Sequence, residues 1–185
     1  MYTTALLFVI SFFIVSYTYF GYAIIVGILA RLKRASKVGV HSQDESFEPH
    51  VALVIPCYNE KHLLLDKVQN CLSLQYPKSK LNIVFMTDGS NDGSDELLKN
   101  IKGVQVFHQP ERKGKAAAEN RAISLIKEEI VVFCDANTTL NELAVKNIVR
   151  HFADEKVGAV SGEKRVITTT KNSASSAGEG VYWKY

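Results

Sequence analysis

Apolar and polar positions fall along the chain in two regimes. From Met1 to Ala30 the apolar run is unbroken by any charged residue. A membrane-crossing helix needs about 20 apolar residues at a rise of about 1.5 Å each, and Tyr2–Ala30 exceeds that length. Tyr17, Tyr19 and Tyr22 fall mid-segment and mark a face suited to packing against protein rather than lipid. A cleaved signal peptide is disfavoured, because no Lys or Arg precedes the run and no small-residue cleavage site follows it. Residues 31–49 then form a basic juxtamembrane segment and a polar linker closed by Pro49.

Beyond Pro49 the pattern alternates. Val51–Pro56, Leu81–Thr87, Val104–His108, Ile130–Cys134 and Val157–Ser161 are short apolar runs of buried-strand type. Asn59–Leu74, Ser94–Ile101, Lys115–Lys127 and Asn141–Phe152 carry helical spacing, such as Leu63, Leu64, Val68, Cys71 and Leu72 in the first. Ser94 is the expected N-cap of its helix. Apolar strands alternating with helices predict an α/β domain: a mostly parallel sheet with helices on both faces, preceded by one transmembrane helix. Residues 168–177 read as a loop, and 178–185 as the start of another helix.

Charge sharpens the division. All 22 Lys and Arg and all 19 Asp and Glu lie after Ala30, so the net charge of +3 describes neither part. Arg31, Lys33, Arg34 and Lys37 directly follow the span. They predict an outward N-terminus and a cytoplasmic domain at the plasma or inner membrane, with the same cluster near anionic headgroups. Cys57, Cys71 and Cys134 are scattered, which suits a reducing compartment and argues against a disulfide framework or a structural zinc site. Cys57 reads as a core-edge residue rather than a nucleophile. The five histidines show no ligand spacing.

Ligands of open parallel sheets bind beyond the carboxyl ends of the strands. Four successive strand ends here are polar: Cys57-Tyr58-Asn59-Glu60, Asp88-Gly89-Ser90-Asn91-Asp92-Gly93, Glu111-Arg112-Lys113-Gly114-Lys115 and Asp135-Ala136-Asn137. Lys113-Gly114-Lys115 opens a helix, where free N–H groups suit phosphate, although a basic surface turn has the same composition. Asp135 followed by Asn137 suits a hard divalent cation that bridges phosphates, and an Asp there can equally cap a turn. Neither a Walker loop nor a Gly-x-Gly-x-x-Gly fingerprint is present, which disfavours a P-loop NTPase and a nicotinamide or flavin enzyme.

The order VALVIPCYNE, FMTDGSNDGS, ERKGKAAAEN, VVFCDANT resembles the family-2 glycosyltransferases with the GT-A fold, over about residues 51–161. The preceding span resembles the membrane-bound, polysaccharide-synthase-like branch. The resemblance implies a 50–185 nucleotide-sugar-binding domain and an inverting, metal-dependent sugar transfer. The donor would be a nucleotide sugar, a UDP-sugar by resemblance, and the acceptor a glycan or lipid-linked molecule at the membrane. The cofactor would be Mg2+ or Mn2+, and no nucleic acid is expected. Pro56, Tyr58 and Glu60 would line the nucleoside pocket, Asp88 would bond the uracil, and Asp92 would shape its loop. Lys113 and Lys115 would approach the diphosphate. Asp135 would be the first residue of an Asp-x-Asp metal motif in which Asn137 replaces the second Asp. The family's catalytic base lies later, so it is expected beyond Tyr185, which would make this chain an N-terminal fragment. Two other readings stay open: an inactive membrane-anchored nucleotide-binding module, supported by Asn137, and a nucleotidyltransferase, weakened by the lack of glycine in Cys57-Tyr58-Asn59-Glu60.

Overall fold

The computed structural model describes residues 2–35 and 46–163, and side chains within 2–32 and 46–163. Most of the linker, the 168–177 loop, the 178–185 helix and the flanking Lys33, Arg34 and Lys37 side chains lie outside that description. The chain divides into two compact units, Met1–Ser42 and Gln43–Tyr185.

In the first unit, α1 (Tyr2–Ser16) and α2 (Tyr22–Ala35) are joined by a π-helical turn at Tyr17–Gly21. The stretch Tyr2–Leu32 is one continuous helix, long and apolar enough to cross a membrane. Its polar interruptions are muted: the Thr18 hydroxyl donates to the Ile14 carbonyl at 2.8 Å, returning its hydrogen bond to its own helix.

The second unit is a four-stranded parallel sheet in the order β3-β2-β1-β4: β1 Val51–Cys57, β2 Leu81–Asp88, β3 Gln105–Gln109 and β4 Ile130–Phe133. Val51 of β1 pairs with Leu81 on one side and with Ile130 on the other. Alternate residues of β1 therefore feed two cores. Val51, Leu53, Ile55 and Cys57 face Leu64, Val68 and Cys71 of α3 (Lys61–Leu72), Leu98 of α4 (Ser94–Lys99), and Val145 and Val149 of α6 (Ala144–Val149). Ala52 and Val54 face α5 (Lys115–Leu125), whose Ala118 and Ala122 carry so little side chain that the helix can lie close to the sheet. Helices thus cover both faces, as the burial of the central strands β1 and β2 requires.

The order of the strands places the site. The chain steps outward from β1 to β2 to β3, then returns to the far side of β1 to form β4. That reversal opens a crevice at the carboxyl ends of β1 and β4, the switch point where open α/β sheets take ligands.

Two local expectations are corrected. Ser94 is the first residue of α4 rather than its cap; Gly93, at φ +80°, holds the cap position, and the Asp92 carboxylate accepts the N–H and O–H of Ser94. Val157–Ser161 forms no strand among the described residues. It runs half exposed beside the outer edge of β4, where it lines an open groove with Ile148 and Phe152. Gly158 and Ala159 leave that run too little side chain to hold a ladder in place.

Candidate active site

At the switch point lies a cavity of about 290 Å3 lined by residues from four strand ends: Pro56, Cys57, Tyr58, Glu60, Asp88, Arg112, Gly114, Lys115, Ala118, Asp135, Ala136 and Asn137. Seven of the nine residues predicted for the site line it: Pro56, Tyr58, Glu60, Asp88, Lys115, Asp135 and Asn137. Asp92 and Lys113 do not.

The loops of the site are locked to each other by hydrogen bonds. Asn59 adopts a left-handed φ of +52°. From there its amide exchanges two 2.9 Å hydrogen bonds with Asn91, and its backbone N–H reaches Ser90 Oγ at 3.2 Å. The Asp92 carboxylate also accepts the N–H of Lys61 at 2.9 Å. Desolvation pushes that carboxyl upward, but the hydrogen bonds from Ser94 and Lys61 outweigh it and hold Asp92 below its usual range. Asp92 therefore fastens the start of α3 to the start of α4 and shapes its loop from outside the cavity.

Asp88 is the central fastening. It is only 4% exposed, and its carboxylate accepts the Lys113 N–H at 3.0 and 3.1 Å and the Gly114 N–H at 2.6 Å. Lys113 thus contributes backbone to the site, while its side chain is exposed and does not line the cavity. Gly89, at φ +70°, lets the two loops touch: a Cβ there would meet the Arg112 backbone N at 2.7 Å. Gly114 also has positive φ, but a Cβ there would meet open space. Gly89→Ala should therefore destabilise the chain by about 2 kcal/mol or more, and Gly114→Ala by backbone strain alone. Urea denaturation of both variants checks the order.

Arg112, for which the sequence alone suggests no role, stacks its guanidinium 3.8 Å from the Tyr58 ring centroid. The pair forms one wall of the cavity by cation–π contact. Asp135, Ala136 and Asn137, in the turn that follows β4, all line the cavity, and the 5%-exposed Ala136 also packs into the core. Lys115 Nζ forms an ion pair with Asp135 Oδ1 and lies 3.9 Å from Glu119. The hydrogen bond to Asp135 raises the Lys115 ammonium above its ordinary value. The Glu60 carboxyl is also raised, first by desolvation; a backbone hydrogen bond from Tyr58 opposes the shift and the charge of Asp135 adds to it.

Burial pushes the Cys57 thiol up to about 12 and the Cys71 thiol to about 11. Both shifts favour the neutral thiol, which suits Cys57 as a core-edge residue. Ellman's reagent at pH 8 should leave the native chain essentially unlabelled and titrate all three free cysteines after denaturation.

The sequence profile described as "Glycosyl transferase family 2" matches residues 52–181, well over half of the chain. The chain belongs to glycosyl transferase family 2. This family-2 chain is 33% identical over 120 residues to a poly-beta-1,6-N-acetyl-D-glucosamine synthase of Staphylococcus aureus, a match that covers 63% of the chain and 29% of that relative. It therefore spans less than a third of the curated relative's length. Among solved structures it is similar to a mannosyltransferase of Pyrobaculum calidifontis, in complex with GDP-Man and Mn2+. The TM-score is 0.71 at 31% identity, covering 81% of the chain and 45% of the mannosyltransferase. It shares the fold of the S. aureus protein TarS, at a TM-score of 0.51 and 21% identity, over 57% of the chain and 31% of the TarS chain. The α/β fold with a parallel sheet and helices on both faces is the GT-A type expected from the motifs.

Proposed function

We propose that this family-2 chain binds the donor for an inverting, metal-dependent sugar transfer from a UDP-sugar to a glycan or lipid-linked acceptor at the membrane. The carrying observation is that one cavity holds two chemically distinct ends. Tyr58, Arg112 and the loop fastened by Asp88 offer a flat, hydrogen-bonding end suited to a nucleoside. Lys115, Asp135 and Asn137 offer a charged end suited to a diphosphate. The start of α5, which has no side-chain cap, turns its first backbone N–H groups to that end.

The donor set fits a divalent cation. Among the described residues there is no cluster of three His, Cys, Asp or Glu ligands. A Mg2+ or Mn2+ ion that shares its coordination with a diphosphate and waters needs only one or two protein carboxylates. Asp135 already holds a cation, the Lys115 ammonium, on one oxygen. Asp135 and Asn137 would hold the metal, which supplies Lewis-acid stabilisation of the departing diphosphate. Lys115, freed from Asp135, would pair with charge that builds on the phosphate oxygens. Glu60, Asp88 and Asp135 each have other roles, so the base for the acceptor hydroxyl is assigned to none of them. The span Tyr2–Leu32 would hold the domain on the cytoplasmic face, where a lipid-linked or growing glycan is within reach.

Calorimetric titration of the full chain with UDP and with GDP, in manganese, tests the donor assignment. UDP should bind more tightly. Tighter GDP binding would move the donor to a guanosine sugar, as in the Pyrobaculum neighbour.

A further inference from the structure

Lys67 lies on the core side of α3 and is 3% exposed, although lysine is almost never buried without a partner. Among the described residues it forms no ion pair with a carboxylate. Its Nζ donates to the Thr138 carbonyl at 2.5 Å and contacts Cys134 Sγ at 3.0 Å. These two contacts bracket the turn that carries Asp135 and Asn137, which is closed by the Thr138 N–H to the Asp135 carbonyl at 3.2 Å. One helical turn on, Asn70 exchanges hydrogen bonds of 2.7 and 2.9 Å with the backbone of Leu140. A single face of α3 therefore clamps the segment 134–140 from beneath. A buried ammonium without a carboxylate is a poor way to stabilise a core, where an apolar residue of equal volume is often as good or better. Its position under the turn gives it another role.

We infer that Lys67 is a positioning residue for the divalent-cation site, holding the Asp135–Asn137 turn in its ligating shape through the Thr138 carbonyl. This rests on the metal role proposed for Asp135. Groups that orient metal ligands commonly set affinity by about 10–100-fold without touching the ion. Lys67 does so with a hydrogen-bond donor, so a neutral donor should replace it and an apolar side chain of similar volume should not.

The test is calorimetric titration of UDP into the full chain in detergent, in manganese and in EDTA, for wild type, Lys67→Met, Lys67→Gln and Asp135→Ala. Lys67→Met should lose about tenfold or more of the affinity that manganese adds, while binding in EDTA stays within about threefold. Lys67→Gln should keep the manganese increment within about threefold of wild type. A folded Lys67→Met that keeps the increment overturns the inference, as does one that loses affinity equally in EDTA, which marks a merely structural residue. If Lys67→Met does not fold, Lys67→Gln decides: retention of the increment supports the role, and a loss of about tenfold or more in a folded protein refutes it. Asp135→Ala separates the two levels. If it keeps the increment, the proposed metal site itself fails; if it loses the increment while Lys67→Met keeps it, only the inference about Lys67 fails.

Discussion

Asp88→Asn should weaken UDP binding by about tenfold or more and lower the stability of the domain by about 1.5–3 kcal/mol. The buried carboxylate accepts the N–H groups of both Lys113 and Gly114. Such charge-assisted bonds are roughly twice as strong as neutral ones. One carboxylate oxygen accepts both N–H groups, so an asparagine oxygen in its place keeps both bonds only at neutral strength, while its NH2 group turns a donor toward the Lys113 N–H that the other oxygen now also accepts. The loss of the charge and the donor facing donor both weaken the fastening. The segment that unfastens is the one that carries Arg112 to the Tyr58 wall and Lys115 to Asp135, so both ends of the cavity loosen together. Calorimetric titration with UDP and urea denaturation check the two halves of this expectation. Full-strength binding by the variant would show that the 111–115 loop does not need its anchor.

The second large effect concerns Asp135. Asp135→Ala should remove all of the affinity that manganese adds to UDP binding. It should leave binding in EDTA within about threefold, because in the proposed role the residue would act through the cation rather than on the nucleotide. Stability should hardly change. The ion pair with Lys115 is well exposed on both sides, 58% and 43%, and exposed pairs contribute about 0–1 kcal/mol. A cleanly folded variant makes the result easy to read, since any loss belongs to the site. Titrations in manganese and in EDTA check it. A manganese increment that survives in Asp135→Ala would place the cation elsewhere.

The sheet and the ends of its strands were legible because their signal is local. Continuous apolar runs such as Val51–Pro56 demand cover on both faces, and the residue after each run must fall at the carboxyl edge. The place of Asp135 and Asn137 at the cavity was readable for the same reason: they directly follow the apolar run that becomes β4. The roles of Asp92 and Lys113 were only half readable. Sequence places them in the right loops, but it does not tell a side chain that faces the cavity from a carboxylate that holds backbone or a lysine that offers only its N–H. Arg112 carries no pattern of its own, because its partner Tyr58 is remote in sequence. Lys67 was hidden most completely. It sits among Leu64, Val68 and Cys71 at a helical spacing that predicts burial, and a lysine there breaks the pattern without naming what it reaches. Val157–Ser161 misled in the opposite direction, since β-branched ends flanking Gly158 and Ala159 imitate a strand.

The proposed donor binding requires one cavity that takes a uridine diphosphate together with a divalent cation. Titrating UDP into the wild-type full chain, once in manganese and once in EDTA, tests that most directly. Saturable one-site binding that strengthens by about tenfold or more in manganese is the predicted result. Equal affinity in the two buffers would contradict the metal site, and no binding in either at millimolar UDP would contradict the donor site altogether.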